Sequence, residues 1–289
     1  MYVRDYSWAA GGFYPVKSSE VDRMISHFTE GSVPGLEEVD KLVGAVAPHA
    51  GWVYSGPTAG KVFGALRDYS KPKLAVCFGA VHIMGVHRAT ILAKGEWRTP
   101  LGNIPIDKSA AEEIMDVLGD QVEESTGSHE EEHSLEVIMP FLKKCFPDIE
   151  AVPIMVPPDL KASSIGTLIG AKLADREDVI IVGSSDMTHY GPRFGFTPAG
   201  TGSEAVKWVK EVNDRGLIDI VLEMRAEDVV KEASQNKSAC GAGAIAATTS
   251  ACKEMGAKKG YLVEYTTSYD VRPTDGAETF VGYAGIVFG

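Results

Sequence analysis

Cysteine is scarce in this chain of 289 residues: there are four, Cys77, Cys145, Cys240 and Cys252, with no CxxC pair among them. That spacing excludes a disulfide framework and suits a reduced setting inside the cell. Basic residues are outnumbered, 28 Lys and Arg against 40 Asp and Glu, for a net charge of -12 with no basic cluster. An acidic surface repels phosphate backbones, so nucleic acid is not an expected partner. No uninterrupted apolar run approaches the roughly 20 residues of a membrane span, and "MYVRDYSWAAGGFYPV" has no signal-peptide apolar core. A cytoplasmic protein without a membrane partner is expected. GxxxxGK[ST], a GxGxxG after a strand and GxSxG are all missing, which removes phosphate-loop, dinucleotide and serine-elbow readings. "GSSDMTH" does crowd Ser184, Ser185, Asp186 and His189 together, but neighbours in sequence rarely form a triad, so serine hydrolysis is not expected.

What is present is a folded α/β pattern, 44% hydrophobic. Residues 42–49, 73–82, 149–156 and 178–186 are apolar almost throughout, as in strands covered on both faces. Helical spacing follows in "PTAGKVFGALRDY", with Pro57 as first helical residue. It recurs in "HSLEVIMPFLKKCF", where Pro140 must kink the helix or sit near an end, and in "KASSIGTLIGAKLA". Residues 89–107 read as an inserted β-hairpin, 203–235 as charged helices, and the C-terminus as two strands. No repeat or linker interrupts residues 1–289. One domain is expected, with a mostly parallel or mixed central sheet flanked by helices.

Ligands in such sheets bind beyond the carboxyl ends of the strands. Three of the four inner strands end in metal-binding side chains: His49, His82, and the pair Asp186 and His189. The chain has only seven histidines, so this repetition marks a site. A further segment, "SACGAGAI", places Cys240 where a small-residue helix begins, a setting that favours the thiolate. Gly241 and Gly243 beside it signal a close approach of backbone or ligand. Cys77, Cys145 and Cys252 lie in apolar patterns and read as core. In "SHEEEHSLE", Glu130 to Glu132 read as a solvated charge run. His133 and Glu136, three apart, share a helix face that either lines a pocket or forms surface pairs. His27, His87 and His129 read as surface residues.

Two imidazoles with a carboxylate describe a non-haem Fe(II) site for oxygen chemistry; two imidazoles with a thiolate also suit zinc or copper. Asp186 and Cys240 both qualify for the third place. His189 suits acid/base work beside the metal. Tyr54, in the loop after His49, is placed to donate a hydrogen bond to a bound ligand.

"AGGFYPV", "APHAGWVYSGPTAG", "WRTPLGNIPID", "EEHSLEVIMPFL", "SSDMTHYG" and "ACGAGAI" occur in the order of the Memo family, whose microbial members are also called AmmeMemoRadiSam system protein B. The chain resembles that family from about residue 8 to its end. The resemblance implies a three-layer α/β/α sandwich similar to the LigB-type class III extradiol dioxygenases, which are non-haem iron enzymes. It also implies a metal held by His49, His82 and Cys240, with Asp186 and His189 beside it. The dioxygenases have a carboxylate where this family has the cysteine. The family's usual Gly-Pro-x-His is here "GAVH", residues 79–82, and keeps the histidine. The turn after Cys240 is "CGAGAI", with less bulk than usual. Three functions follow as expectations: an Fe(II)-dependent oxygenase or oxidoreductase acting on a small molecule; a metal-binding protein with peptide or radical-SAM partners; or a zinc hydrolase using His189 or Glu136 as base.

Overall fold

A computed structural model describes residues 2–7, 11–273 and 277–289; residues 8–10, where the resemblance begins, lie outside it. Its strands are β1 (Val3–Arg4), β2 (Gly44–Ala47), β3 (Leu74–Gly79), β4 (Ala89–Ile91), β5 (Glu96–Thr99), β6 (Gly102–Pro105), β7 (Val122–Glu124), β8 (Glu150–Met155), β9 (Val179–Ser184), β10 (His189–Tyr190), β11 (Gly260–Thr267) and β12 (Phe280–Phe288). The main sheet runs β10-β12-β2-β9-β3-β8-β4-β7, with β11 also paired to β12. Its centre, β2-β9-β3-β8, is parallel. The flanking β12 and β4 are antiparallel to that core, so the sheet is mixed.

The inner strands are apolar along almost their whole length, the exceptions being Glu150 at the start of β8 and Ser184 at the end of β9, because helices cover both faces. In β3, Leu74, Val76 and Phe78 enter one core, while Ala75 and Cys77 enter the other. In β9, Val179 and Ile181 alternate in the same way with Ile180 and Val182. Period-two alternation with both halves apolar is the mark of a buried parallel strand. One helical layer holds Lys108–Leu118, Ala162–Leu173 and Ala242–Glu254; the other holds Ser18–Phe28, Trp52–Tyr69 and Met139–Cys145. The result is the three-layer α/β/α arrangement.

Small residues set how closely the first layer lies on the sheet. From Ala242 to Cys252 every residue of its helix is buried. A Cβ at Gly183 would run into Thr248, and one at Gly166 would run into the carbonyl of Ala247. The helix is therefore pressed between β9 and the Ala162–Leu173 helix, and its N-terminal end is delivered to the carboxyl end of β9.

Three sequence expectations shift. The helix after β2 starts at Trp52, not at Pro57. Its Trp52 N–H donates to the Phe13 carbonyl at 2.7 Å, and its indole stacks on Tyr14 with ring centroids 5.0 Å apart. Tertiary packing thus begins the helix five residues early. Pro57 removes the bond to the Val53 carbonyl, in the first helical turn and at a residue that is 47% exposed. The helix expected from residue 133 begins only at Met139, with Pro140 in its first turn. The hairpin occupies Glu96–Pro105 and joins β1 in a separate three-stranded sheet, whereas β4 belongs to the main sheet. No described helix is long and apolar enough to cross a membrane.

Candidate metal centre

The parallel register of β2, β9 and β3 sets their carboxyl ends side by side: Ala47 pairs Ser184 and Phe78 pairs Gly183. His49 leaves β2 two residues after its last strand residue, and Asp186 does the same from β9. Asp186 Oδ1 accepts the backbone N–H groups of His49 (2.8 Å) and Ala50 (3.1 Å), which ties the two loops together. Burial pushes the Asp186 carboxyl up, opposed by the His189 charge and these two N–H donors.

His49 is oriented by serine. Its Nδ1 lies 2.9 Å from Ser184 Oγ, and that hydroxyl donates to the Ser134 carbonyl at 2.7 Å. The serine oxygen must therefore accept Nδ1–H, which leaves Nε2 unprotonated, 3.3 Å from Cys240 Sγ. Burial and the charges of His82, His133 and His189 hold the His49 pKa well below its usual value. It is a neutral imidazole, the form that binds metals.

His82 is oriented by carboxylate. Glu132 accepts the His82 backbone N–H at 2.7 Å, its ring Nδ1–H at 3.0 Å and the Ser134 N–H at 2.8 Å. A ligating imidazole whose other nitrogen donates to a carboxylate is the usual support of a metal site. Desolvation opposes both charges. For His82, hydrogen bonding to Cys240 and Glu132 wins and raises the pKa to about 10; for Glu132, the His82 contacts and the Ser134 N–H lower it to about 2. His133 stacks on His82 with ring centroids 4.7 Å apart and lies 5.3 Å from His49. Burial first, then the His82 charge, push its pKa down to about 4.

Cys240 arrives from the other end of the chain. Its N–H donates to the Asp186 carbonyl at 3.2 Å, and Ser185 Oγ accepts the Gly241 N–H at 2.9 Å. The Met187–Ala239 bridge adds to this lacing. The neighbouring glycines make room for backbone: a Cβ at Gly243 would meet the Pro157 carbonyl, and one at Gly241 the Ser184 carbonyl.

The ligand atoms of His49, Asp186 and Cys240 all lie within 4.8 Å of one another, as do those of His49, His82 and His133. A carboxyl, a thiol and imidazoles whose Nδ1 atoms already have partners fit a divalent cation, which on binding would displace the proton that His82 holds. His49 belongs to both groups, His82 to one and Asp186 and Cys240 to the other, beyond the carboxyl ends of β2, β9 and β3. His189 lies beside them, its Nδ1 donating to the Met187 carbonyl at 3.1 Å. His82, His189 and Cys240 all line a cleft of about 500 Å³.

Other expected residues fall elsewhere. Tyr54 sits in the first helical turn rather than in a loop, under the Arg272 guanidinium at 5.7 Å, and does not line that cleft. His133 and Glu136 do not share a helix face, because residue 133 is irregular and residues 134–138 are turns. His133 faces the imidazole cluster, while Glu136 turns away to pair with buried Arg4 and accepts from Tyr14 at 3.3 Å. Glu132 is no solvated charge: it is 2% exposed and is the partner of His82. Its signal was its place directly before His133, but a run of three glutamates does not say which one turns inward. His129 is fully buried, not at the surface, with Nε2 donating to the Thr90 carbonyl. Cys77 and Cys252 are buried and Cys145 is half-buried; His27 and His87 are exposed.

The family model described as Memo-like protein matches residues 6–287. A MEMO1 family protein of Methanopyrus kandleri is 35% identical over 290 residues, covering 96% of this chain and 96% of that protein. One from Nitrosopumilus maritimus is 33% identical over 286 residues, covering 96% and 97%. The crystal structure of an uncharacterized Escherichia coli K12 protein is similar in fold, with a TM-score of 0.54 at 12% identity, covering 86% of this chain and all of that one.

Proposed function

Because the chain belongs to the Memo-like family, we propose that it holds one divalent ion between His49, His82 and Cys240 and works as a non-haem Fe(II)-dependent oxidoreductase on a small molecule. Asp186 stands beside the ion, either as a further ligand or as the group that holds the His49 loop in place. The observation that carries this reading is the support behind each imidazole. Ser184 and Glu132 engage the two Nδ1 atoms, so both rings offer Nε2 to the space beside Cys240. Bound Fe(II) would supply an electron source and open coordination positions for oxygen.

The chain's own residues do the rest. The cleft admits a ligand beside Cys240. His189, anchored through Nδ1, presents Nε2 for proton transfer to or from that ligand.

Anaerobic purification with elemental analysis, then Fe(II) reconstitution and oxygen uptake over a catechol panel, tests the reading. One iron per chain, lost in His49→Ala with the fold intact, is expected. No iron uptake, or unchanged metal content in His49→Ala, overturns it. A thiolate ligand also suits copper and zinc. Tight metal binding without oxygen uptake would favour the partner-binding role, with peptide or radical-SAM proteins. Zinc with hydrolytic turnover would favour a hydrolase.

A further inference from the structure

The cleft beside the proposed metal is lined by His82, His189, Cys240 and Ser234 together with apolar side chains. Phe194, Phe196, Val230, Ala233 and Ala242 contribute to its walls, with Lys237 at its rim. Among the described lining residues Lys237 is the one Lys, Arg, Asp or Glu. Its ammonium rests 5.3 Å from the centre of the Phe196 ring. Phe194 stands edge-on to His189, with centroids 5.0 Å apart at 90°. Among the described residues, no carboxylate pairs with Lys237, in a protein whose net charge is -12.

The backbone at Lys237 is also unusual. It closes the Ala226–Asn236 helix in the left-handed region, at φ 49°. Glycine or asparagine normally takes that place, because a side chain there is strained. A lysine at this point accepts that strain and directs a cation over an aromatic wall three residues before Cys240.

We propose that this cleft takes a small aromatic acid, its ring against Phe194 and Phe196 and its anionic group on Lys237, so that Lys237 is the residue selecting for charge. The volume, about 500 Å³, lies within the range of small-molecule pockets and holds one ring with its substituents. An anion desolvated against such walls gains a charge-assisted hydrogen bond that a neutral analogue of the same shape lacks. The proposal rests on the reading of the metal centre only for what happens to the ligand, not for its binding.

The test therefore starts with metal-free protein. Calorimetric titration with benzoate, phenyl phosphate and benzamide measures the preference for charge; the two acids distinguish a carboxylate ligand from a phosphate. At least one acid should bind about tenfold or more tightly than benzamide, as expected of a hydrogen bond to a charged group. Lys237→Met should reduce that acid to the benzamide level and leave benzamide binding and metal content unchanged. Lys237→Gly relieves the backbone strain, so it should fold at least as stably as wild type and still lose the preference. A purely structural lysine would gain stability in Lys237→Gly and keep the preference. No discrimination in wild type, or discrimination surviving in both variants, overturns the proposal. Repeating the titration after Fe(II) reconstitution separates it from the metal reading: selective binding without iron uptake leaves the cleft standing and removes the oxidoreductase.

Discussion

Replacing Glu132 with glutamine tests the support of the metal centre with a change of two atoms' chemistry and almost no change in shape. The carboxylate accepts three hydrogen bonds: His82 N–H at 2.7 Å on Oε2, and Ser134 N–H at 2.8 Å and His82 Nδ1–H at 3.0 Å on Oε1. Glutamine offers one carbonyl oxygen and one NH2. With its oxygen in the Oε1 position, the His82 backbone N–H faces another donor; turned over, it deprives both Ser134 and the ring. One buried donor left unpaired costs about 1–3 kcal/mol. The imidazole also loses its anionic partner, which in comparable sites costs about 10–100-fold in metal affinity, or about 1.4–2.7 kcal/mol. Anaerobic competition titration against a chromophoric chelator reads the affinity, and urea melting of the metal-free protein reads the stability. Both should fall. If the metal affinity of Glu132→Gln stays within about threefold of wild type, Glu132 does not position His82 for a metal. If the urea midpoint is also unchanged, the hydrogen-bond accounting itself is wrong.

Arg4 is fully buried, pairs with Glu136 and donates to the carbonyls of His129 (3.0 Å) and Glu132 (2.9 Å). Removing one partner of a buried pair costs about 3–5 kcal/mol, so Arg4→Met should show that loss in chemical denaturation; a loss below about 1 kcal/mol would refute it. His129 has its pKa lowered from 6.5 to about 4, by burial first and by the Arg4 charge. Between those values the unfolded chain takes up a proton that the folded one refuses, so stability falls as pH drops from 6.5 to 4. At about 1.36 kcal/mol per pH unit, this group contributes about 3 kcal/mol of that fall, and His129→Gln should flatten the profile by that amount; equal profiles would count against it. Gly166→Ala drives a Cβ into the Ala247 carbonyl. It should cost about 1–3 kcal/mol as overpacking, read as a lowered melting temperature; a neutral outcome would mean that the two helices separate freely.

The four inner strands were legible because burial on both faces leaves an uninterrupted apolar signature, and all four form within the stretches expected. Glycine and alanine near Cys240 were legible as a mark of close approach, and backbone is what comes close. The helix start at Trp52 was not legible. Glycine and proline propensities argue against it, and only the packing of Trp52 on Tyr14 and Phe141 outweighs them. The hairpin was seen, but not that β4 pairs with β8, since strand partners are chosen by register across distant segments.

The sequence by itself determined which residues stand at strand ends, because hydrophobic patterning is local and His49, His82, Asp186 and His189 interrupt it at recognisable places. Only the tertiary structure decided which polar groups turn inward to serve them. Glu132 and Ser184 orient the imidazoles, Arg4 and Glu136 brace the segment behind, and Lys237 comes to rest on Phe196. Each of these contacts joins residues far apart in the chain or chooses among identical neighbours, and a hydrogen bond's partner is set by position and angle in space, which no local pattern encodes.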